Sequence, residues 1–378
     1  MTYARQRLWL GITGVGTTVL LCLAAVVFDL PHRLIHPLAD TSFGRALASI
    51  ALAWMLHALI LLPVDIAGGL FVVREPRGVL TWIAGWLRGV TVQWLVFGLS
   101  AALLLRAGQQ FGMTVAILIF LLLQAVLLSR QGLIAWLAGG LSLREASPEV
   151  QEAARVAGIA PTAVRVADGA DPAFVGGWVG SAAQHLWVPA RWVAALSREQ
   201  LALVLSRRAA VRGNGLRRRG VLVAIAWNTT GFVLATTMPR ADLMTAAGFV
   251  TTICWFTLWS FVGVLVLPSA SRPAVFAADA AAARTHDATL IATTITQLDG
   301  WQDDEPERGE RVETVFHPVP SRGARIRALA GAAAPTHAGA WQATRMMLYL
   351  SWAGIGGLSR AVHCNVGRPP LWVLLPGD

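Results

Sequence analysis

The sequence predicts a polytopic α-helical membrane protein, with about six transmembrane helices and a mainly α, α+β domain facing the cytoplasm. Three observations predict it. Of 378 residues, 55% are hydrophobic and only 14% charged, and the mean hydropathy is +0.57, too apolar for a soluble globular chain. The apolar residues gather into runs of about 20, the length needed to cross a bilayer. Between 145 and 219 the pattern changes to short, polar-punctuated segments typical of a water-facing domain.

The first run, Leu8–Phe28, follows a basic start holding Arg5 and Arg7 and lacks a small-residue cleavage site, so it reads as a retained anchor. Further spans are predicted at 46–64, 89–105 and 112–129. Arg5, Arg7, Arg74, Arg77, Arg88, Arg130 and Arg144 fall on one side of these spans, and Arg33, Arg45 and Arg106 on the other. The arginine-rich side is expected to be cytoplasmic. It carries the N-terminus and everything directly after Arg130, which points to a bacterial inner (cytoplasmic) membrane protein. Two more spans are predicted at 220–238 and 244–267, so the chain divides into a membrane region (1–144), a domain interrupted by those two spans (145–330) and an apolar tail (331–378).

Within the domain, Ser147 followed by Pro148 marks a helix start. "TAVRVADG" alternates and suits a strand, and "HLWVPARWVAAL" suits a strand running into a short helix. Ser197 and Gln200 form a capping box at the head of the next helix. After the last span, the alanine-rich stretch from Ser271 to Asp299 reads as one long helix, "GWQDDEPERGERVET" as an exposed loop, and the tail's "MMLYLSWAGIGGL" as a segment lying in the interface or packing on the domain.

The formal charge is +10, yet lysine is missing altogether. An all-arginine complement placed beside spans reflects base composition and topology, and no nucleic-acid partner is expected. Cys22, Cys254 and Cys364 are widely separated, with no CxxC, so neither a disulfide framework nor a cysteine zinc site is suggested.

The order of four segments resembles the HtpX-like and CAAX-prenyl-protease-like membrane zinc metallopeptidases. "DPAFVGG" (171–177) stands at the family's "NAFxxG" position, and "LWVPARWVAALSREQLALVLS" (186–206) matches the approach to its zinc-binding helix. "SRPAVFAAD" (271–279) follows the two spans like its "SRxxExxAD", and "FHPVPSRGARIRAL" (316–329) is similar to its late "THPxxxxRIxxL" segment. The resemblance covers about 145–330 and implies a zincin-like metallopeptidase-type domain. Such a site takes two histidines one helical turn apart, a glutamate base beside the first, and a third ligand from a second helix.

Aligned in this way, all four chemical positions are replaced. Arg207 and Arg208 stand for the first histidine and the base, Val211 for the second histidine, and Val275 for the third ligand. No histidine occurs between His185 and His286, and Glu199 is the only glutamate between Glu152 and Glu305. The expectation is therefore a degenerate site with no catalytic residues, no metal and no cofactor. Asp279 remains as a candidate structural brace towards Arg207 or Arg208, an arginine–carboxylate link in place of the metal.

His286, seven residues after Asp279 and so expected on the same helix face, forms a weak candidate metal site with His317. His363-Cys364 is a weak soft-metal pair. In the spans, His57 reads as neutral and hydrogen-bonded, and Asp65 as reaching water at the cytoplasmic end. The functional expectation is a catalytically inactive metallopeptidase homologue, or pseudoprotease, that acts by binding. As a scaffold, chaperone-like or regulatory partner, it would take a membrane protein or peptide segment, or an active protease of the same family. Strand addition beside "TAVRVADG" or its neighbour is the expected mode. Two alternatives stand beside this: a membrane peptidase with a non-canonical site using Ser206 or Asp279, and a transporter or lipid-binding protein built on residues 1–140.

Overall fold

Helix α1 (Tyr3–Val27) is capped by Thr2, whose hydroxyl accepts from the Arg5 N–H, and a short α2 (Leu30–Leu34) follows it. The computed structural model describes all residues except 36, 76–77, 170, 303, 332–338 and 374–378. Ser42 caps α3 (Phe43–Ile66) in the same way, and a wide turn carries that helix on to Phe71. Next comes α4 (Val79–Gly139), 61 residues long. At a rise of 1.5 Å per residue it measures about 90 Å, three times the hydrocarbon core of a bilayer.

The resolution lies at Gly112. Its backbone (φ 77°, ψ −177°) departs from the helix in a region that only glycine occupies freely. Gly89 packs on Pro369 and Gly139 on Pro370, while Gly108 packs on Leu243. Both outer ends of α4 thus meet the same two prolines, so its halves run antiparallel. Together with α1, α3, α8 (Leu216–Thr237) and α9 (Ala246–Ala282), they supply six apolar crossing segments on five continuous helices. Gly112→Ala is expected to destabilise the protein by about 1–3 kcal/mol, measured as a lowered thermal midpoint in detergent.

The water-facing domain is built on four strands, β1 (Ser142–Glu145), β2 (Val164–Asp168), β3 (Gly177–Val179) and β4 (His185–Pro189), in the order β1-β2-β4-β3. β2 and β4 run parallel and the outer pairs antiparallel. Val164, Val166, Leu186 and Val188 point one face of this sheet at α5 (Pro148–Val156), α6 (Ala190–Ala195) and α7 (Arg198–Gly213). The capping box at Ser197 and Gln200 is formed, with reciprocal bonds of 2.9 and 3.2 Å. Ser147 precedes α5, but its hydroxyl bonds to Glu149 rather than to a helix N–H.

Several expectations are corrected here. The alanine-rich helix does not continue to 299: α9 ends at Ala282, and α10 (Ala288–Trp301) starts anew with Asp287 accepting from the Thr289 N–H at 2.8 Å. His286 therefore lies in the break and does not share a helix face with Asp279. The charged loop contains a helix, α11 (Glu310–Phe316), in which Glu313 is buried against Arg272 at 2.7 Å. A short α12 (Arg322–Leu329) follows it.

Of the two readings of the tail, interface or packing on the domain, the second is the nearer, though the burial goes deeper than either. α13 (Ala343–Leu350) and the 3₁₀ turns 351–354, 358–360 and 369–371 run through the middle of the helix cage. They pack on α4, α8 and α9, and almost every residue from 340 to 373 is buried. Broken backbone at membrane depth is tolerated where protein encloses it and satisfies its polar groups. Arg7 does so by donating to the carbonyls of His363 and Val366 at 3.0 and 2.8 Å, and Trp82 by donating to Gly367 at 2.9 Å. Asp65, expected to reach water, is instead 1% exposed and pairs with Arg360 of the tail at 2.6 Å.

Candidate functional site

The helix that opens with the Ser197 capping box carries Arg207, Arg208 and Val211, and the last turns of α9 carry Val275 and Asp279. The two helices pack directly on each other, so the positions aligned with the metal ligands do converge. The groups they bring together have a different chemistry.

On one side of the α7–α9 contact lies a buried ion-pair cluster. Arg207 Nε donates to Asp279 Oδ1 at 2.7 Å. Arg325, from α12, donates to both oxygens of the same carboxylate, Nε to Oδ2 at 2.8 Å and Nη2 to Oδ1 at 3.0 Å. All three side chains are almost wholly buried. A carboxylate held by two guanidinium groups, one of them bidentate, is a strong and directional link in a low-dielectric setting. It ties α7, α9 and α12 together. Arg208 donates to the Val175 carbonyl at 2.8 Å, and its own carbonyl accepts from the Trp178 indole at 2.7 Å, joining α7 to the β3 edge.

On the other side lies an apolar plug. Val211 (1% exposed) and Val275 (0%) belong to one small cluster with Leu216, Ala274, Ala278 and Trp341. Trp341 comes from the tail, whose backbone is pinned here: the Trp341 N–H donates to the Leu216 carbonyl at 3.1 Å and the Ala340 N–H to the Ala270 carbonyl at 2.9 Å. Two valine side chains sealed under a tryptophan offer no lone pair, and both Asp279 oxygens are engaged by arginine. This donor set does not fit zinc, which takes histidine nitrogen, thiolate or free carboxylate oxygen.

Of the remaining candidates, His286 stands apart from His317, which lies instead beside His363. The His286 ring bonds to the neighbouring Thr285 hydroxyl at 2.9 Å. His317 is buried, and its ring lies 5.0 Å from that of His363, next to Cys364. Among the described residues no group of three or more His, Cys, Asp or Glu could hold a metal ion. Asp171, in the segment similar to "NAFxxG", is buried against the Arg368 guanidinium of the tail.

Sequence reasoning did not single out Arg325 or Trp341. Arg325 occupies the arginine of the "RIxxL" in the quoted late segment, but that match does not say what it binds, and only the fold shows that it reaches Asp279. Trp341 carried no signal, because nothing in its surroundings marks the tail as returning to this contact.

The fold is that of a polytopic α-helical membrane protein carrying a small α+β domain. No family model matches the sequence, and no curated protein does. Among solved structures, the chain is similar to S. mikatae Ste24p, with a TM-score of 0.64 over 83% of this chain and 80% of that one, at 14% identity. At that identity the likeness is one of fold.

Proposed function

We propose that this chain is a membrane metallopeptidase homologue without hydrolytic activity, which works by binding a membrane protein or peptide segment, an active protease of the same family included. One observation carries the reading. Where the resemblance places two histidines, a glutamate base and a third ligand, the chain has Arg207, Arg208, Val211 and Val275, and these are built into an ion-pair cluster and an apolar plug. Arginine side chains stay protonated, so they cannot act as a general base or ligate a divalent metal. The segment Ala340–Trp341 is pinned to α8 and α9, with Trp341 packed on Val211 and Val275.

Strand addition at 164–168 is ruled out by topology, since β2 is paired on both sides, with β1 and with β4. Edge addition falls to β1, whose four residues are all exposed. The arginine distribution supports a bacterial inner membrane with the N-terminus and the domain in the cytoplasm.

Metal content and hydrolysis test the proposal. Protein purified in detergent is expected to hold zinc well below one equivalent, and to cleave neither casein nor a membrane peptide in a chelator-sensitive way. Near-stoichiometric zinc with chelator-sensitive cleavage would overturn it.

A further inference from the structure

Arg345, in the first turn of α13, stands where two cavities of opposite character meet. One is a small basic pocket in the domain, which it lines with Arg308, Arg322, His317 and His363. The other is an apolar groove of about 270 Å³ between α1 and α9, walled by Ile12, Val15, Phe261, Val264 and Leu265. His363 also lines both.

The charges around the pocket are otherwise engaged. Arg308 pairs with Glu305 at 3.4 Å, Arg322 with Asp299 at 3.9 Å, and Arg325 with Asp279. Arg345 is half-buried, and among the described residues no carboxylate, carbonyl or aromatic face pairs with its guanidinium. A guanidinium cannot shed its charge, so a sheltered one without a counter-ion leaves electrostatic energy unused. The groove beside it opens between two spans, towards the end where α1 begins and α9 leaves its apolar stretch.

We propose that this is a binding site for an anionic phospholipid. Its phosphate sits on Arg345 in the basic pocket and one acyl chain lies in the α1–α9 groove. Guanidinium binds phosphate oxygens bidentately, and basic pockets between transmembrane helices take lipid headgroups. A free phosphate would satisfy Arg345 but leave the groove empty of purpose. A zwitterionic lipid would fill the groove but bring its own cation to an already basic pocket.

The test uses the full chain in nanodiscs of phosphatidylcholine, titrated with phosphatidylglycerol or, separately, with inorganic phosphate, reading the thermal midpoint. Phosphatidylglycerol is expected to raise the midpoint of the unaltered protein. Arg345→Gln should need about tenfold more of it for half the effect, the loss of one charge-assisted pair. Ile12→Trp, which fills the groove and leaves the basic pocket intact, should blunt the response as well. This second variant carries the test if Arg345→Gln fails to fold. Equal responses in variant and unaltered protein would overturn the site, as would a midpoint that phosphatidylglycerol leaves where phosphatidylcholine alone sets it. If inorganic phosphate reproduces the shift and Ile12→Trp has no effect, the ligand is a soluble anion and the lipid proposal fails.

Discussion

Asp279→Ala is expected to cost about 3–5 kcal/mol of stability, the penalty for removing one partner of a buried ion pair. The reason lies in what remains. Arg207 and Arg325 both direct guanidinium nitrogens at the Asp279 carboxylate from opposite helices. Without it, two cations are left beside one another in a site that water does not reach. The lost energy is then mostly their desolvation and mutual repulsion, not the worth of the bonds themselves. The comparison that isolates this is the triple variant Asp279→Leu, Arg207→Met, Arg325→Met, which removes all the charges and keeps the volume. It is expected to be far closer in stability to the unaltered protein than the single variant is. Chemical denaturation in detergent reads both. A loss under about 1 kcal/mol for Asp279→Ala, within the range of an exposed pair, would mean that the carboxylate is solvated and does not brace the helices.

Much of the architecture was legible because it is written in local signals. Apolar runs of bilayer length marked the crossings, and the Ser197–Gln200 capping box marked the start of α7 to the residue. The alternation at 164–168 marked a buried strand. Legibility failed where long-range geometry decided. The break at 283–287 carries one local mark, Asp287, whose N-cap chemistry starts α10 in spite of the alanine content before it. The 89–105 and 112–129 runs were separable, but not the fact that one glycine joins them into a single hairpin. For the site, the degenerate positions could be named from the resemblance to a motif, whereas their new partners could not. Arg325 stands at the arginine of the late "RIxxL" segment and Trp341 in the tail, but only the packed chain shows that both come to stand beside the lost ligands.

The tail was the least legible element, and its docking yields the other large prediction. Its pieces are short and broken, so no hydropathy window marks them as membrane-buried. Their burial follows from the polar partners that the spans supply. Asp65 is the centre of this arrangement: it accepts from Arg360 at 2.6 Å, from the Trp86 indole at 2.9 Å and from the Gly367 N–H at 3.0 Å. An aspartate in a span is costly unless it is paired, and Arg360, 295 residues away in the chain, is the cation that makes it tolerable. Asp65→Ala is therefore expected to cost about 3–5 kcal/mol, and to loosen the tail as well as the fold. Hydrogen exchange over 351–373 should accelerate in this variant while α8 and the core of the sheet stay protected, because the tail loses its anchor and those elements keep theirs. Arg360→Met alone should be comparably harmful, since it strands Asp65. The pair Asp65→Leu with Arg360→Met should recover most of the loss, because two apolar side chains need no partner in that interior. If the double variant is no better than the sum of the singles, the two residues do not act through each other, and the tail is held by its apolar contacts alone.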